Sequence, residues 1–102
     1  MKSLLILMLA LVTTPVLAAG DAAVGQEKAA ACSSCHGAEG KASVSLYPHL
    51  AGQNADYLQR ALQAYKQGER SGGQAEVMKA FVSGLSEADM ADLAAYYHSL
   101  KP

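Results

Sequence analysis

The chain has 102 residues, of which 51% are hydrophobic and 17% charged, and its formal net charge is −1 at pH 7. That length accommodates one small domain plus a targeting segment. The weak acidity gives no reason to expect nucleic-acid binding.

The N-terminus reads as a secretory signal. Lys2 gives a short positive n-region, residues 4–12 form an apolar h-region, and Pro15 breaks it. Val16-Leu17-Ala18 then satisfies the small-residue rule for cleavage after Ala18, with Ala19 nearly as good. The apolar run is too short to favour a membrane span, so an uncleaved anchor is the weaker reading. The expected division is a signal peptide over 1–18 and one domain over 19–102, exported and without stable membrane insertion once the signal is removed. A domain of that size has a limited core and often needs a staple.

Residues 21–31 are Ala-rich and predict a helix capped by Asp21. Gly25 and Ala29 are four apart, on one face, where small side chains let another helix approach closely.

The helix runs into Cys32-Ser33-Ser34-Cys35-His36, a C-x-x-C-H motif and the attachment signature for c-type haem. Two thiols two residues apart reach one porphyrin edge and add to its vinyl groups as thioethers. His36 then offers a neutral imidazole nitrogen to the iron. Two other chemistries use C-x-x-C. A thioredoxin-like dithiol follows a β-strand in an α/β pattern, which this sequence lacks. A structural zinc site needs four ligands, and beyond the motif only His49 and His98 remain, neither in a second ligand pair. A disulfide between Cys32 and Cys35 in an oxidising compartment is compatible with the motif before haem is added.

Gly37-Ala38-Glu39-Gly40 reads as a turn, and residues 41–47, without a clear period, as loop. Pro48 has no N–H but can accept through its carbonyl. It is a candidate to take the outer N–H of a ligating histidine, although on the residues alone an ordinary loop proline is the stronger reading. Asn54 predicts the N-cap of a helix over 55–67, with Leu58, Leu62 and Tyr65 on one face and Gly68 at its end. Tyr57, Leu58 and Leu62 are candidate walls of a haem pocket or plain core. Residues 69–76 hold Gly72 and Gly73 and predict a surface loop.

Ser86-Glu87-Ala88-Asp89 resembles a capping box opening a last helix that runs to about Leu100. Met90, Leu93, Ala94 and Tyr97 form its apolar stripe, expected to pack on the small face of the first helix. His98, in the last turn, suits the helix dipole better than a ligand role.

A six-coordinate electron-transfer haem takes a second axial ligand, commonly Met or His. Met1 and Met8 leave with the signal. Met90 belongs to the helix stripe, whereas Met78 follows the Gly-rich segment, where a loop can carry its sulfur to the iron. Met78 is therefore favoured over Met90, His49 or an open site.

Over residues 20–101 the chain resembles a one-haem bacterial class I c-type cytochrome, and one half of the dihaem cytochromes of that lineage. The stretches that carry the resemblance are Cys32-Ser33-Ser34-Cys35-His36, Tyr47-Pro48-His49-Leu50-Ala51-Gly52-Gln53, Tyr57-Leu58 with Leu62, Lys66-Gln67-Gly68-Glu69-Arg70, Met78, and the run from Leu85 to Tyr97. The resemblance implies an all-α fold of four or five short helices around a covalent haem, with the terminal helices crossed. Gly25 and Ala29 match one side of that crossing, Leu93 and Tyr96 the other. Pro48 matches the proline whose carbonyl accepts from the ligating histidine, and Met78 the axial methionine. Arg70 falls where a basic residue can approach a haem propionate. Gln74-Ala75-Glu76-Val77 departs from the family, which often has Asn-Pro or Asp-Pro there, and this leaves the path of the loop open.

The function implied is a soluble periplasmic single-electron carrier, not an enzyme, with one haem c and its iron as cofactor and transient redox proteins as partners. A haem-based small-molecule sensor is the alternative, as is an electron-transfer subunit of a larger oxidoreductase.

Overall fold

The computed structural model describes residues 1–12 and 20–102. The expected cleavage positions, Ala18 and Ala19, lie outside the described residues. Among the described residues no helix is long and apolar enough to cross a membrane. Residues 1–12 carry no regular secondary structure, and their side chains are exposed.

The fold is all-helical, with five helices among the described residues: α1 (Ala22–Lys28), α2 (Ala30–His36), α3 (Ala55–Lys66), α4 (Ala75–Val82) and α5 (Glu87–Ser99). The Asp21 carboxylate caps α1 by accepting from the Ala23 and Val24 N–H groups at 2.9 and 3.2 Å. The single helix expected over 21–31 is in fact two. At Ala29 ψ is −3°, well away from the roughly −42° of an α-helix, and its N–H turns to the Gln26 carbonyl three residues back. α1 packs along α5, whereas α2 makes no comparable contact with it. The break thus lets α1 follow the terminal-helix crossing while α2 takes a separate course.

The crossing rests on small residues. A Cβ placed on Gly25 would lie 2.0 Å from the Asp92 carbonyl oxygen and 2.8 Å from the Tyr96 Cβ, so α1 and α5 meet nearly backbone to backbone. Beside that contact Lys28 Nζ reaches Asp89 and Asp92, each at 2.7 Å. The Asp21 N–H donates to the second Asp92 oxygen at 2.8 Å. α5 opens on a true capping box: Ser86 Oγ accepts from the Asp89 N–H, and the Asp89 carboxylate accepts from the Ser86 N–H.

The buried cluster is Ala29, Leu58, Leu93, Ala94 and Tyr97, from α3, α5 and the α1–α2 junction. α3 ends as expected at Gly68, whose φ of +74° favours glycine. The Gly68 and Glu69 N–H groups donate back to the Tyr65 and Ala64 carbonyls, the two reverse bonds of a Schellman motif.

The second departure is α4. The Gly-rich segment is shorter than expected, and Met78 sits in a helix rather than a loop. Ala75-Glu76-Val77-Met78-Lys79-Ala80-Phe81-Val82 contains neither Gly nor Pro and is rich in good helix formers. Ala75, Met78 and Val82 fall on its inner face, Ala75 and Val82 being buried. The neighbouring Gly72-Gly73 pair masks a helix of only two turns.

Candidate functional site

α2 places the motif by helix geometry. Cys32, Cys35 and His36 are related as i, i+3 and i+4, so all three project from one face. That face borders a cavity of about 510 Å³ lined mainly by apolar side chains, within the roughly 300–1,000 Å³ of small-molecule and cofactor sites. Leu58, Ala61, Leu62 and Tyr65 of α3 and Leu93, Ala94 and Tyr97 of α5 form further walls. Met78, Phe81 and Val82 come from α4, and Tyr47, Pro48 and Leu50 from the loop between α2 and α3.

That loop is fixed at both ends. The Gly40 carbonyl accepts from the Leu50 and Ala51 N–H groups at 2.8 and 3.0 Å, closing residues 40–51 on themselves. At its far end the Gly52 N–H donates to the Tyr97 carbonyl at 2.9 Å, and His98 Nδ1 meets the Gln53 carbonyl at 2.8 Å. His98 therefore clasps α5 to the loop and lies outside the cavity lining. The closure holds the Pro48 carbonyl 2.9 Å from His36 Nδ1. A carbonyl can only accept, so Nδ1 is the donor, and the neutral tautomer of that ring has its lone pair on Nε2, available to a metal. His36 is 6% exposed, and Tyr47 packs edge-on against its ring.

The remaining ligand candidates separate by position. Met78 is half-buried and lines the cavity. Met90 has no exposure at all and is not part of the lining. His49 borders the cavity, but its Nδ1 accepts from the Ala42 N–H at 2.8 Å. Arg70 lines the cavity with its guanidinium 4.6 Å above the Tyr65 ring. Tyr57 also borders it and is exposed.

The two cysteines are unbridged. Burial pushes the Cys32 thiol up from its ordinary value, only partly offset by the neighbouring Tyr97 hydroxyl. A dithiol redox centre works the other way, through a lowered thiol pKa in an electropositive setting. No strand occurs among the described residues, and no group of three or more His, Cys, Asp and Glu side chains there could hold a metal ion. The zinc and thioredoxin arrangements therefore lack their scaffolds.

The residues fit a covalently attached, iron-bearing macrocycle. Two thiols stand at the rim of an apolar void, a neutral imidazole has one nitrogen free, and a thioether lines the same void. Among the described residues one buried polar atom, Tyr97 Oη, lacks a well-formed hydrogen bond, with the Cys32 thiol as its near neighbour. Sequence reasoning named Tyr97 as core and missed it, Phe81 and Val82 as cavity walls. The α5 stripe was the available signal for Tyr97; the other two were hidden with α4.

The sequence profile described as cytochrome c matches residues 22–101. Cytochrome c-554(548) of Halomonas halodenitrificans is 48% identical over 81 residues, covering 79% of this chain and 98% of that protein. Cytochrome c4 of Azotobacter vinelandii is 44% identical over 108 residues, covering 99% of this chain, which spans about half (51%) of that longer protein. The crystal structure of reduced recombinant cytochrome c4 from Pseudomonas stutzeri superposes with a TM-score of 0.71 at 39% identity, covering 81% of this chain and 47% of that one.

Proposed function

This chain belongs to the cytochrome c family, and on that premise we propose that it is a soluble periplasmic single-electron carrier with one haem c, attached through Cys32 and Cys35 and ligated by His36 and Met78. It is an electron-transfer protein and not an enzyme. The observation that carries the site assignment is that these four side chains line one cavity while Pro48 leaves His36 Nε2 free.

When bound, haem c supplies an iron that accepts one electron from a reduced partner and passes it to an oxidised one. The chain's own residues do the rest. The thioethers tether the group so that it does not exchange. The Pro48 carbonyl holds the imidazole in one orientation and would leave Nε2 to hold the iron. The Met78 thioether, as a soft neutral donor, would favour the reduced metal and raise the potential. The apolar walls from α3 and α5 would cover the group and limit its contact with water. Arg70, braced on Tyr65, provides a positive charge for a propionate. Leu46, Tyr57, Val77 and Phe81 are exposed at the cavity rim and suit a small, transient docking patch for redox proteins. Residues 1–18 act as the export signal, leaving 19–102 as the working domain.

The test is the visible spectrum of the protein expressed with haem-attachment machinery, oxidised and reduced, followed by carbon monoxide. Low-spin bands that ignore carbon monoxide support a closed His/Met site. Rapid carbon monoxide binding opens the distal position and overturns the Met78 assignment. Absence of haem overturns the whole reading. N-terminal sequencing of the periplasmic fraction tests the export step.

A further inference from the structure

Tyr97 is 4% exposed, and its hydroxyl is buried within the cavity wall without a well-formed hydrogen bond, the Cys32 thiol being in weak contact with it. Such a group is costly to leave unpaired. Its polar neighbours are Cys32 and Tyr96. Tyr96 is committed elsewhere, its own hydroxyl pointing at the Ala38 carbonyl 3.4 Å away. Cys32 packs against the cluster that contains Tyr97 and lines the same cavity. Burial pushes the Tyr97 phenol up, with Cys32 the next cause, so at neutral pH it remains a donor. A thiol can donate as well as accept, and therefore leaves the direction of the pairing open. A thioether has no proton and can only accept.

We propose that Tyr97 is a positioning residue for electron transfer, whose hydroxyl donates a hydrogen bond to the Cys32 sulfur once that sulfur is a thioether, orienting the linkage and drawing electron density from it. The inference rests on the attachment role of Cys32 given under the proposed function. A donor on this sulfur stabilises the reduced, more electron-rich state over the oxidised one, as hydrogen bonds around a metal site do generally. The hydroxyl shifts the balance of the one-electron couple and itself gains or loses no proton.

The experiment compares haem-loaded wild type with Tyr97→Phe, which keeps the ring and removes the donor. Intact mass first establishes covalent haem in the wild type; its absence overturns this proposal together with the proposed function. With haem present, Tyr97→Phe should lower the Fe(II)/Fe(III) ratio at a fixed ambient potential by about two- to fivefold, the scale of one modest hydrogen bond. The resonance Raman C–S band should shift in D₂O for the wild type and not for the variant. An unchanged ratio with an unchanged C–S band would overturn the hydrogen bond and leave the carrier function standing. Should Tyr97→Phe fail to load, site-specific 3-fluorotyrosine at position 97, a stronger donor of nearly equal size, should move the ratio the opposite way. No movement there also overturns the proposal.

Discussion

His36 and Pro48 stand twelve residues apart in the chain and 2.9 Å apart in space, the imidazole Nδ1–H donating to the proline carbonyl. The acceptor belongs to the backbone, so its position depends on the loop and not on a side chain. Pro48 contributes a fixed φ and the missing N–H. Pro48→Ala therefore keeps the acceptor but frees the unfolded chain. It should lower stability by about 0.4–1 kcal/mol while leaving the haem spectrum in place. Denaturant titration of the loaded protein checks this; an unchanged midpoint would mean that Pro48 does not restrict the unfolded chain measurably.

On the proposed reading Met78 is the distal ligand and Met90 a core residue. Met78→Ala should leave the reduced protein open to carbon monoxide and lower its potential, because the soft neutral donor is lost. Met90 is fully buried. Met90→Ala should leave the spectrum unmoved and cost about 2–5 kcal/mol through the cavity it creates. A reversal of the two spectroscopic results would transfer the ligand role to Met90.

The haem motif, the caps at Asp21, Asn54 and Ser86, and the glycine stop at Gly68 were all legible because each depends on residues within one or two helical turns. The crossing of α1 on α5 was legible through Gly25 and Ala29, small residues at helical spacing. Two features were not. The break at Ala29 has no local breaker, alanine being the best helix former; it falls where the packing of α1 on α5 ends. α4 is too short for its period to stand out beside Gly72-Gly73, which hid Phe81 and Val82 as cavity walls. Tyr97 was legible as core but not as a buried hydroxyl, since only the packed structure shows which polar atoms lack partners.

Gly25 and Gly84 offer a paired test of the helix crossing. At Gly25 a new methyl would meet the Asp92 carbonyl at 2.0 Å, and backbone cannot yield as a flexible side chain would. Gly25→Ala should cost about 1–3 kcal/mol by forcing α1 off α5. At Gly84 nothing lies within 4 Å of the same methyl, and its φ is not positive. Gly84→Ala should be neutral or stabilising by up to about 1 kcal/mol. Thermal denaturation of both variants separates close packing from a general cost of replacing glycine.

The Lys28 clasp sets the acid limb of stability. Its hydrogen bond holds the Asp89 carboxyl down at about 2, helped by the Ser86 N–H and hydroxyl. Lys28 likewise lowers Asp92, with the Asp21 N–H assisting. Both carboxylates are depressed below their ordinary 3.8, so the unfolded chain binds protons first as pH falls. Their contribution is complete above about 4 and is lost as pH drops towards 2. Lys28 is itself raised above 10.5, chiefly by Asp89, so its share is present below that value and lost as pH climbs past it. Lys28→Met should therefore lower the denaturation midpoint most at neutral pH. The gap to wild type should narrow steadily between pH 4 and 2, and should shrink at high salt because the pair is open to solvent. A gap that stayed constant across that acid range would assign the effect of Lys28 to the packing of its aliphatic stem against the crossing instead of its charge.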